Sequence, residues 1–120
     1  MLIRSSYCVA SALISLTAII GRLNPTDLIK MITIHILGYA LLEQIVYTSI
    51  GAYDAGGGAI VHTYGAYFGL TVNFVLARYV LPTTRPERNY NSNLMGLLGT
   101  LFLWIFWPFF NFGLFAENQY

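Results

Sequence analysis

Charge is what this sequence lacks most. Only 9% of its 120 residues are charged, whereas soluble domains carry about 25%. So few charged residues could not cover the surface of a water-soluble core. The net charge is +1 and the six Lys and Arg residues form no basic run, which argues against a nucleic-acid interface. The composition therefore indicates a membrane protein that does not bind nucleic acid.

Cysteine is the second scarcity. Because Cys8 is the only cysteine, the sequence excludes both an internal disulfide and a cysteine-based metal site. The other residues of interest as ligands are the two histidines, His35 and His62. We expect neither a metal nor a cofactor, although a haem alternative is weighed below.

What the sequence does contain is long apolar runs, since 57% of its residues are hydrophobic. Four of these runs approach the roughly 20 residues that cross a bilayer. They lie at about residues 5–20, 28–50, 54–81 and 94–115. The pattern predicts an all-α polytopic membrane bundle with four transmembrane helices in one domain, residues 1–120. The first run follows Arg4 as a signal peptide would, but no convincing cleavage site precedes Gly21.

The connections between these runs differ in character. The first contains Pro25 after Asn24, so we expect Thr26 or Asp27 to cap the second helix. The third, PTTRPERNYNSN at residues 82–93, is polar, has two prolines and shows no helical period. The second is short and carries no basic residue.

The basic residues predict the orientation. Five of the six lie at or near the first and third connections, which places those connections in the cytoplasm. They are Arg22, Lys30, Arg78, Arg85 and Arg88. Arg4 is the exception. The starts of the first and third runs, and the ends of the second and fourth, are then expected to face outward.

The most informative stretch is DAGGGAIVHTYGAYFGL, which begins at Asp54. On a helix, Gly58, His62, Gly65 and Gly69 would share one face. Three of these four positions have no side chain, so a neighbouring helix could approach closely. Asp54 at the start is most simply a cap for free backbone N–H groups.

These residues are predicted to converge in the outer half of the bundle. His62 lies eight residues after Asp54, about 12 Å deeper at the helical rise. Tyr7 is near the outer end of the first run, and the aromatic sequence WIFWPFFNF, beginning at Trp104, is near the outer end of the fourth. An acid, aromatic rings and a deeper imidazole would therefore lie on one path.

That arrangement suits a weakly acidic cation. A carboxylate and aromatic faces attract positive charge, but carrying a full charge into the apolar core costs roughly 3 kcal/mol or more. A cation that releases its proton can cross as a neutral molecule and hydrogen-bond to a neutral imidazole. Ammonium fits this scheme and sodium does not, because sodium has no proton to release.

Three segments resemble Rhesus-type glycoproteins of the ammonium transporter superfamily. They are YCVASALISLTAIIGRLNP, DAGGGAIVHTYGAYFGL and GTLFLWIFWPFFN. The resemblance runs from about Tyr7 to Phe112. It implies an ammonium channel that conducts ammonia through a histidine-lined hydrophobic pore, without enzymatic activity. It also implies a multi-pass protein of the lipid bilayer, in the plasma membrane, that assembles as a homotrimer.

The resemblance also implies site residues. His62 matches the first of two pore histidines, and Asp54 matches the acid near the outer recruitment site, where it mainly orders its surroundings. Phe110 matches one of two stacked gate phenylalanines, and Asn111 is the structural asparagine after it. Tyr7 falls at the other gate position, where its hydroxyl adds a polar group that phenylalanine lacks.

The roles of three further residues can be interpreted in more than one way. Trp107 is expected in the recruitment vestibule, although an interfacial aromatic belt would also use it. Glu43, inside the second run, is expected to be protonated, to be paired within the bundle, or to lie close enough to the outer face to be hydrated. Because the family tends to have an acid there, we favour a vestibule role. His35 does not match the second pore histidine and is expected to pack or to hydrogen-bond.

The sequence departs from the family in two other places. Asn93 stands where family members often have an acid. Family members have eleven or twelve spans, with the second pore histidine in the later half, and this chain has no such half. It therefore resembles a fragment, a truncated gene model or a degenerate copy.

Three alternatives compete with this interpretation. His35 and His62 would differ in height by only about 6 Å in a bilayer core of about 30 Å, so they could ligate one haem in a four-helix bundle. An intramembrane aspartyl protease needs two carboxylates that share a proton, and only Asp54 and Glu43 are available. A purely structural four-span protein would explain the hydropathy but not the spacing of the site residues.

Overall fold

The computed structural model describes residues 2–79 and 89–116, with side chains as far as Asn111. The chain forms two compact units, Met1–Pro82 and Thr83–Tyr120. All regular structure in the described ranges is helical, without a strand. The predicted all-α class is confirmed.

The first unit contains three α-helices with irregular helical turns between the second and third. The α-helices are α1 (Leu2–Thr17), α2 (Pro25–Gln44) and α3 (Tyr64–Tyr79). The irregular turns are a first π-turn (Ile45–Ile50), a 3-10 turn (Ala55–Gly57) and a second π-turn (Gly58–Thr63). The first helix is central, because α1 packs against α2, α3 and the second π-turn.

The hydrophobic core of this unit lies where α2 meets the second π-turn. Its buried members are Tyr39 from α2 and Ile60 and Val61 from the turn. Cys8 and Ile14 of α1 pack against them. The irregular backbone before α3 is therefore held in place by apolar contacts with both of the other helices.

The first helix is displaced from its predicted position. It spans Leu2–Thr17 instead of residues 5–20, because the N–H groups of Ala18 and Ile19 each bond a carbonyl only three residues back. These tight turns end the helix while the apolar run continues. At the helical rise α1 is about 24 Å long.

The second helix begins earlier than predicted, at Pro25. Proline suits the first helical position because its φ is preset and its missing N–H would be unpaired there. Asn24 is the extended N-cap residue, without a side-chain cap, so the prediction that Thr26 or Asp27 caps the helix is wrong. The Asp27 carboxylate instead pairs with the Lys30 ammonium at 2.9 Å.

The second unit is described by one long helix, α4 (Tyr90–Ala116). The side-chain oxygen of Asn89 accepts a hydrogen bond from the N–H of Asn91 at 3.0 Å, as an N-cap residue does. Residues 90–93, predicted to be loop, therefore form the first turn of α4. The helix continues through Pro108.

Three described helices are long and apolar enough to cross a membrane. They are Pro25–Ile50, Ala55–Tyr79 and Tyr90–Asn111. With only 16 residues, α1 is a shorter apolar helix, so the four-span count stays a prediction. The lengths and composition of the three helices indicate a multi-pass membrane protein.

Part of the predicted third connection lies outside the described residues. This part, residues 80–88, includes Arg85 and Arg88 and the end of the predicted third span. The predicted orientation depends on these two basic residues together with three described ones, and it stays a prediction.

Candidate functional site

The second π-turn carries His62 and leads directly into α3. The chain enters it through Gly56 and Gly57, whose φ angles are 74° and 69°. These left-handed conformations are accessible to glycine at little cost. Within the turn the hydroxyl of Thr63 donates to the carbonyl of Gly58 at 2.7 Å. His62 is partly buried, and π-turns of this kind are frequent at functional sites.

The side chain of Asp54 binds the backbone of this turn. Its carboxylate accepts hydrogen bonds from the N–H of Ala59, with both oxygens at 3.1 Å, and from the N–H of Ile60 at 2.7 Å. Hydrogen bonds to an ionised acceptor are stronger than neutral ones. The capping interpretation of Asp54 is confirmed, and a role in recruitment stays a prediction.

The glycine face of α3 packs against α1; the sequence predicted close approach of a neighbouring helix but not which one. A methyl group added at Gly65 would lie 2.7 Å from the carbonyl oxygen of Ser11, and one at Gly69 would lie 2.6 Å from that of Ser15. Both glycines are buried. The two helices approach so closely because neither glycine has a side chain.

The same face does not extend unchanged to Gly58 and His62. The prediction assumed a continuous α-helix, but the second π-turn has i→i+5 hydrogen bonds, which add a residue to the turn. The shared register therefore applies from Tyr64 onward. Gly58 is only partly buried, in contrast to Gly65 and Gly69.

Tyr7 lies on α1, with 49% of its surface exposed. Its neighbour Cys8 packs against the core that includes Ile60 and Val61 of the second π-turn. The structure therefore places Tyr7 one residue away from a contact with the turn that carries His62. Its gating role stays a prediction.

Glu43 pairs with Arg4 across α1 and α2. The closest nitrogen and oxygen are 3.8 Å apart, and the side chains are 73% exposed for Arg4 and 19% exposed for Glu43. Of the three states expected for Glu43, pairing within the bundle is the one observed. The pair also gives Arg4, the exception to the predicted charge bias, a partner at its own end of the bundle. A vestibule role for Glu43 stays a prediction.

The remaining predicted site residues lie on α4 in the second unit. The rings of Trp107 and Phe110 are stacked, with centroids 6.0 Å apart and an interplanar angle of 29°. The side-chain amide of Asn111 donates to the carbonyl of Trp107 at 2.9 Å. These contacts order one face of α4. Because they lie within one helix, the predicted pairing of Phe110 with Tyr7 stays a prediction.

Sequence reasoning missed the polar junction of the three helices. The hydroxyl of Ser15 on α1 lies 2.8 Å from the carbonyl of Gly65 on α3 and 3.2 Å from Nδ1 of His35 on α2. The hydroxyl of Tyr64 donates to the carbonyl of His35 at 3.1 Å. His35 is thus the packing and hydrogen-bonding residue expected. Ser15, the hydrogen-bond partner of His35, could have been identified from the sequence, because Ser11 and Ser15 are small residues spaced i, i+4 in an apolar helix.

The geometry disfavours both rival chemistries. His35 has no exposed surface, and Nε2 could reach a porphyrin only if the helices separated. No group of three or more potential metal ligands occurs within the described ranges. Asp54 is bound to backbone N–H groups and Glu43 to Arg4, so the two carboxylates do not share a proton as a protease would require.

Comparisons with known proteins extend over nearly the whole chain. The model of a family described as Ammonium Transporter Family matches residues 3–119. The chain is 40% identical over 120 residues to ammonium transporter Rh type B of Xenopus tropicalis, covering 98% of this chain and 26% of that protein. It is 41% identical over 112 residues to ammonium transporter Rh type C of Rattus norvegicus, covering 92% and 22%.

A mouse relative gives the same picture. The chain is 40% identical over 112 residues to ammonium transporter Rh type B of Mus musculus, covering 92% of this chain and 25% of that protein. The chain therefore spans about a quarter of the length of the curated relatives that it matches. No solved structure matches it significantly.

Proposed function

The chain belongs to the ammonium transporter family, and we propose that it forms part of a channel that recruits ammonium and conducts it as ammonia. The family assignment confirms the resemblance to Rhesus-type proteins, and the family is one of transporters, not enzymes. The names of the relatives, which are ammonium transporters, support the substrate. Because the chain spans about a quarter of their length, the activity of the whole protein is part of the proposal.

The observation that carries the proposal is the turn that presents His62. The Asp54 carboxylate fixes the backbone of this turn through the N–H groups of Ala59 and Ile60. The imidazole is then held, partly buried, in a segment with almost no other polar side chain. In an apolar passage a hydrogen-bonding group of this kind stabilises a neutral polar solute that would otherwise be unpaired.

The proposed path begins at an outer vestibule. Ammonium is attracted there by the carboxylates of Asp54 and Glu43 and by the ring of Trp107. The ion releases its proton to water before the apolar segment, because a charge inside the bilayer is costly. Ammonia then passes the rings of Tyr7 and Phe110, which act as the gate.

Beyond the gate, His62 lines the pore. Its neutral imidazole can donate at one nitrogen and accept at the other, so it can hydrogen-bond to ammonia in either direction. Gly58, Gly65, Gly69 and Asn111 have structural roles in this proposal: the glycines let the helices pack closely and the asparagine orders α4.

The whole protein is proposed to act as a homotrimer in the plasma membrane. The basis for this proposal is what the resemblance to Rhesus-type proteins implies. The second pore histidine would come from sequence outside this chain.

Uptake of methylammonium, a traceable analogue, tests the pore assignment. Vesicles that contain the full-length protein are compared with vesicles that contain the His62→Ala variant. Loss of a buried hydrogen-bond partner costs about 1–3 kcal/mol, so we expect uptake to fall by about tenfold.

Leu70→Ala is the matched control. Leu70 lies on α3, the helix that follows His62, and is 57% exposed, so its truncation should leave uptake near the unsubstituted value. Equal uptake by the two variants would remove His62 from the pore and favour a structural role for this chain.

A further inference from the structure

The second histidine of the chain, His35, is enclosed by aromatic rings. It is completely buried on α2. The ring centroids of Phe68 and Tyr64 lie 4.8 Å and 5.0 Å from its own, and that of Tyr39 lies 6.5 Å away. Three aromatic side chains, the His35 cage, therefore enclose the imidazole.

The hydrogen bonds of Ser15 fix the tautomer of this imidazole. The Ser15 hydroxyl has one proton, and it lies 2.8 Å from the carbonyl of Gly65 and 3.2 Å from the carbonyl of Ser11. A carbonyl can only accept, so the short contact with Gly65 takes the hydroxyl proton. Nδ1 of His35, 3.2 Å from the same hydroxyl oxygen, must then be the donor.

Nε2 of His35 is consequently an acceptor with a free lone pair. It is buried and has no hydrogen-bond partner among the described residues. Buried polar atoms are nearly always paired, and an exception calls for a physical explanation. The Ser11 hydroxyl is also unpaired, but it rotates and can either donate or accept. In the tautomer that Ser15 fixes, Nε2 of His35 can only accept, and the ring sets its direction.

Two cavities lie on either side of the cage. One, of about 640 Å³, lies between α1 and α2 and is lined in part by Tyr39. The other, of about 500 Å³, lies between α2 and α3 and is lined in part by Phe68. Each cavity therefore shares one aromatic ring with the His35 cage. Entry of a small molecule from either cavity would require that ring to rotate.

We propose that Nε2 of His35 is the acceptor of a second binding site, which takes one small neutral amine such as ammonia or methylamine. An amine gives an N–H to the imidazole, and the methyl group of methylamine would pack on the rings. The inference rests on the proposed function for the identity of the amine.

Solid-state NMR of the protein in bilayers, with ¹⁵N-labelled histidine, tests the site. The His35→Gln variant lacks the resonances of this imidazole, so comparing its spectrum with that of the unsubstituted protein assigns both nitrogens of His35. Before any amine is added, we expect Nδ1 to be protonated and Nε2 to have the shift of an unbonded acceptor. Methylamine added at alkaline pH should move the Nε2 resonance upfield in a saturable way.

The same spectra can overturn the proposal. The proposal is wrong if methylamine does not shift the Nε2 resonance. It is also wrong if Nε2 is already hydrogen-bonded before methylamine is added, or if Nε2 is protonated. The Ser15→Ala variant removes the partner of Nδ1 and should produce a mixture of tautomers, while an unchanged tautomer would contradict the argument from Ser15. Uptake by His62→Ala vesicles decides the proposed function separately, because that assay does not depend on His35.

Discussion

The two halves of the membrane helix that follows Asp54 are held in different ways. Under the predicted orientation its outer half runs from Asp54 to Thr63, with a left-handed Gly56 and Gly57, a 3-10 turn and a π-turn. Hydrogen bonds from backbone N–H groups to the carboxylate of Asp54 hold it. The inner half, α3, is regular and packs against α1 through two glycines.

This difference separates the region of the proposed pore histidine from the region where α3 packs against α1. The outer half depends on a side chain that is present, because unpaired N–H groups need an acceptor. The inner half depends on the absence of side chains at its two glycines. Without them the helices approach closely, and this approach supplies the van der Waals contact that holds helices together in lipid. His62 belongs to the outer half, so its position should respond to loss of the cap more than the packing of α3 does.

The largest effect is expected from Gly69→Ala, in the inner half. The added methyl would lie 2.6 Å and 2.9 Å from the carbonyl oxygen and Cα of Ser15, which are backbone atoms that cannot rotate away. Overpacking costs about 1–3 kcal/mol, and because the added methyl meets backbone atoms we expect the upper end of this range. After subtracting the roughly 1 kcal/mol by which Ala favours a helix over Gly, the net loss is about 2 kcal/mol. The midpoint of unfolding in SDS should fall.

Gly99→Ala is the control for this comparison. Gly99 lies inside α4, and a methyl there meets nothing within 4 Å among the described atoms. Both substitutions change helix propensity equally, so only the contact with α1 differs. If the two variants unfold at the same SDS concentration, the glycine contact does not hold α3 in place.

Asp54→Ala, in the outer half, should have the next largest effect. Loss of a cap costs about 0.5–2 kcal/mol, and the SDS midpoint should fall accordingly. Asp54→Asn keeps one oxygen acceptor for the N–H groups of Ala59 and Ile60 but loses the second acceptor and the charge that strengthens these bonds, so its stability should lie between those of Asp54→Ala and the unsubstituted protein. Methylammonium uptake by Asp54→Asn then separates the two roles: reduced uptake supports recruitment by charge, and unchanged uptake leaves only the cap.

Tyr64→Phe, at the boundary between the two halves, should have the smallest effect. It removes the hydroxyl that donates to the carbonyl of His35 at 3.1 Å. Interhelical hydrogen bonds of this kind are worth about 0.6 kcal/mol in membranes. Tyr67→Phe, at a residue 69% exposed on the same helix, is the control, and thermal unfolding in detergent compares the pair. A loss as large as that of Gly69→Ala would mean that the polar junction, not the glycine contact, dominates.

Much of the fold followed from local pattern. The apolar runs indicated the membrane helices, and the spacing of Gly65 and Gly69 predicted close helix contact. The helix starts were less predictable, because they depend on hydrogen bonds that hydropathy does not detect. The carbonyl of Asn24 accepts from the N–H of Leu28 and the side chain of Asn89 accepts from the N–H of Asn91.

The candidate site was predictable in part. Asp54 and His62 stand out in the sequence as isolated polar residues in an apolar segment, and the capping role of Asp54 followed from its position at the start of that segment. The π-turn between them was not predictable, because i→i+5 bonds depend on how the turn packs against α1 and α2. The role of Ser15 was missed because its two partners lie on other helices.

The sequence by itself determined that this chain is an apolar, helical membrane protein with family-specific segments, because hydropathy, composition and motifs are properties of the residues alone. Only the tertiary structure showed that His35 is the buried histidine and that the hydroxyl oxygen of Ser15 contacts it. These outcomes depend on the rotation of each helix about its axis, and that rotation is set by contacts between residues far apart in the chain. For that reason His35 and His62, similar in sequence context, have different surroundings in the folded protein.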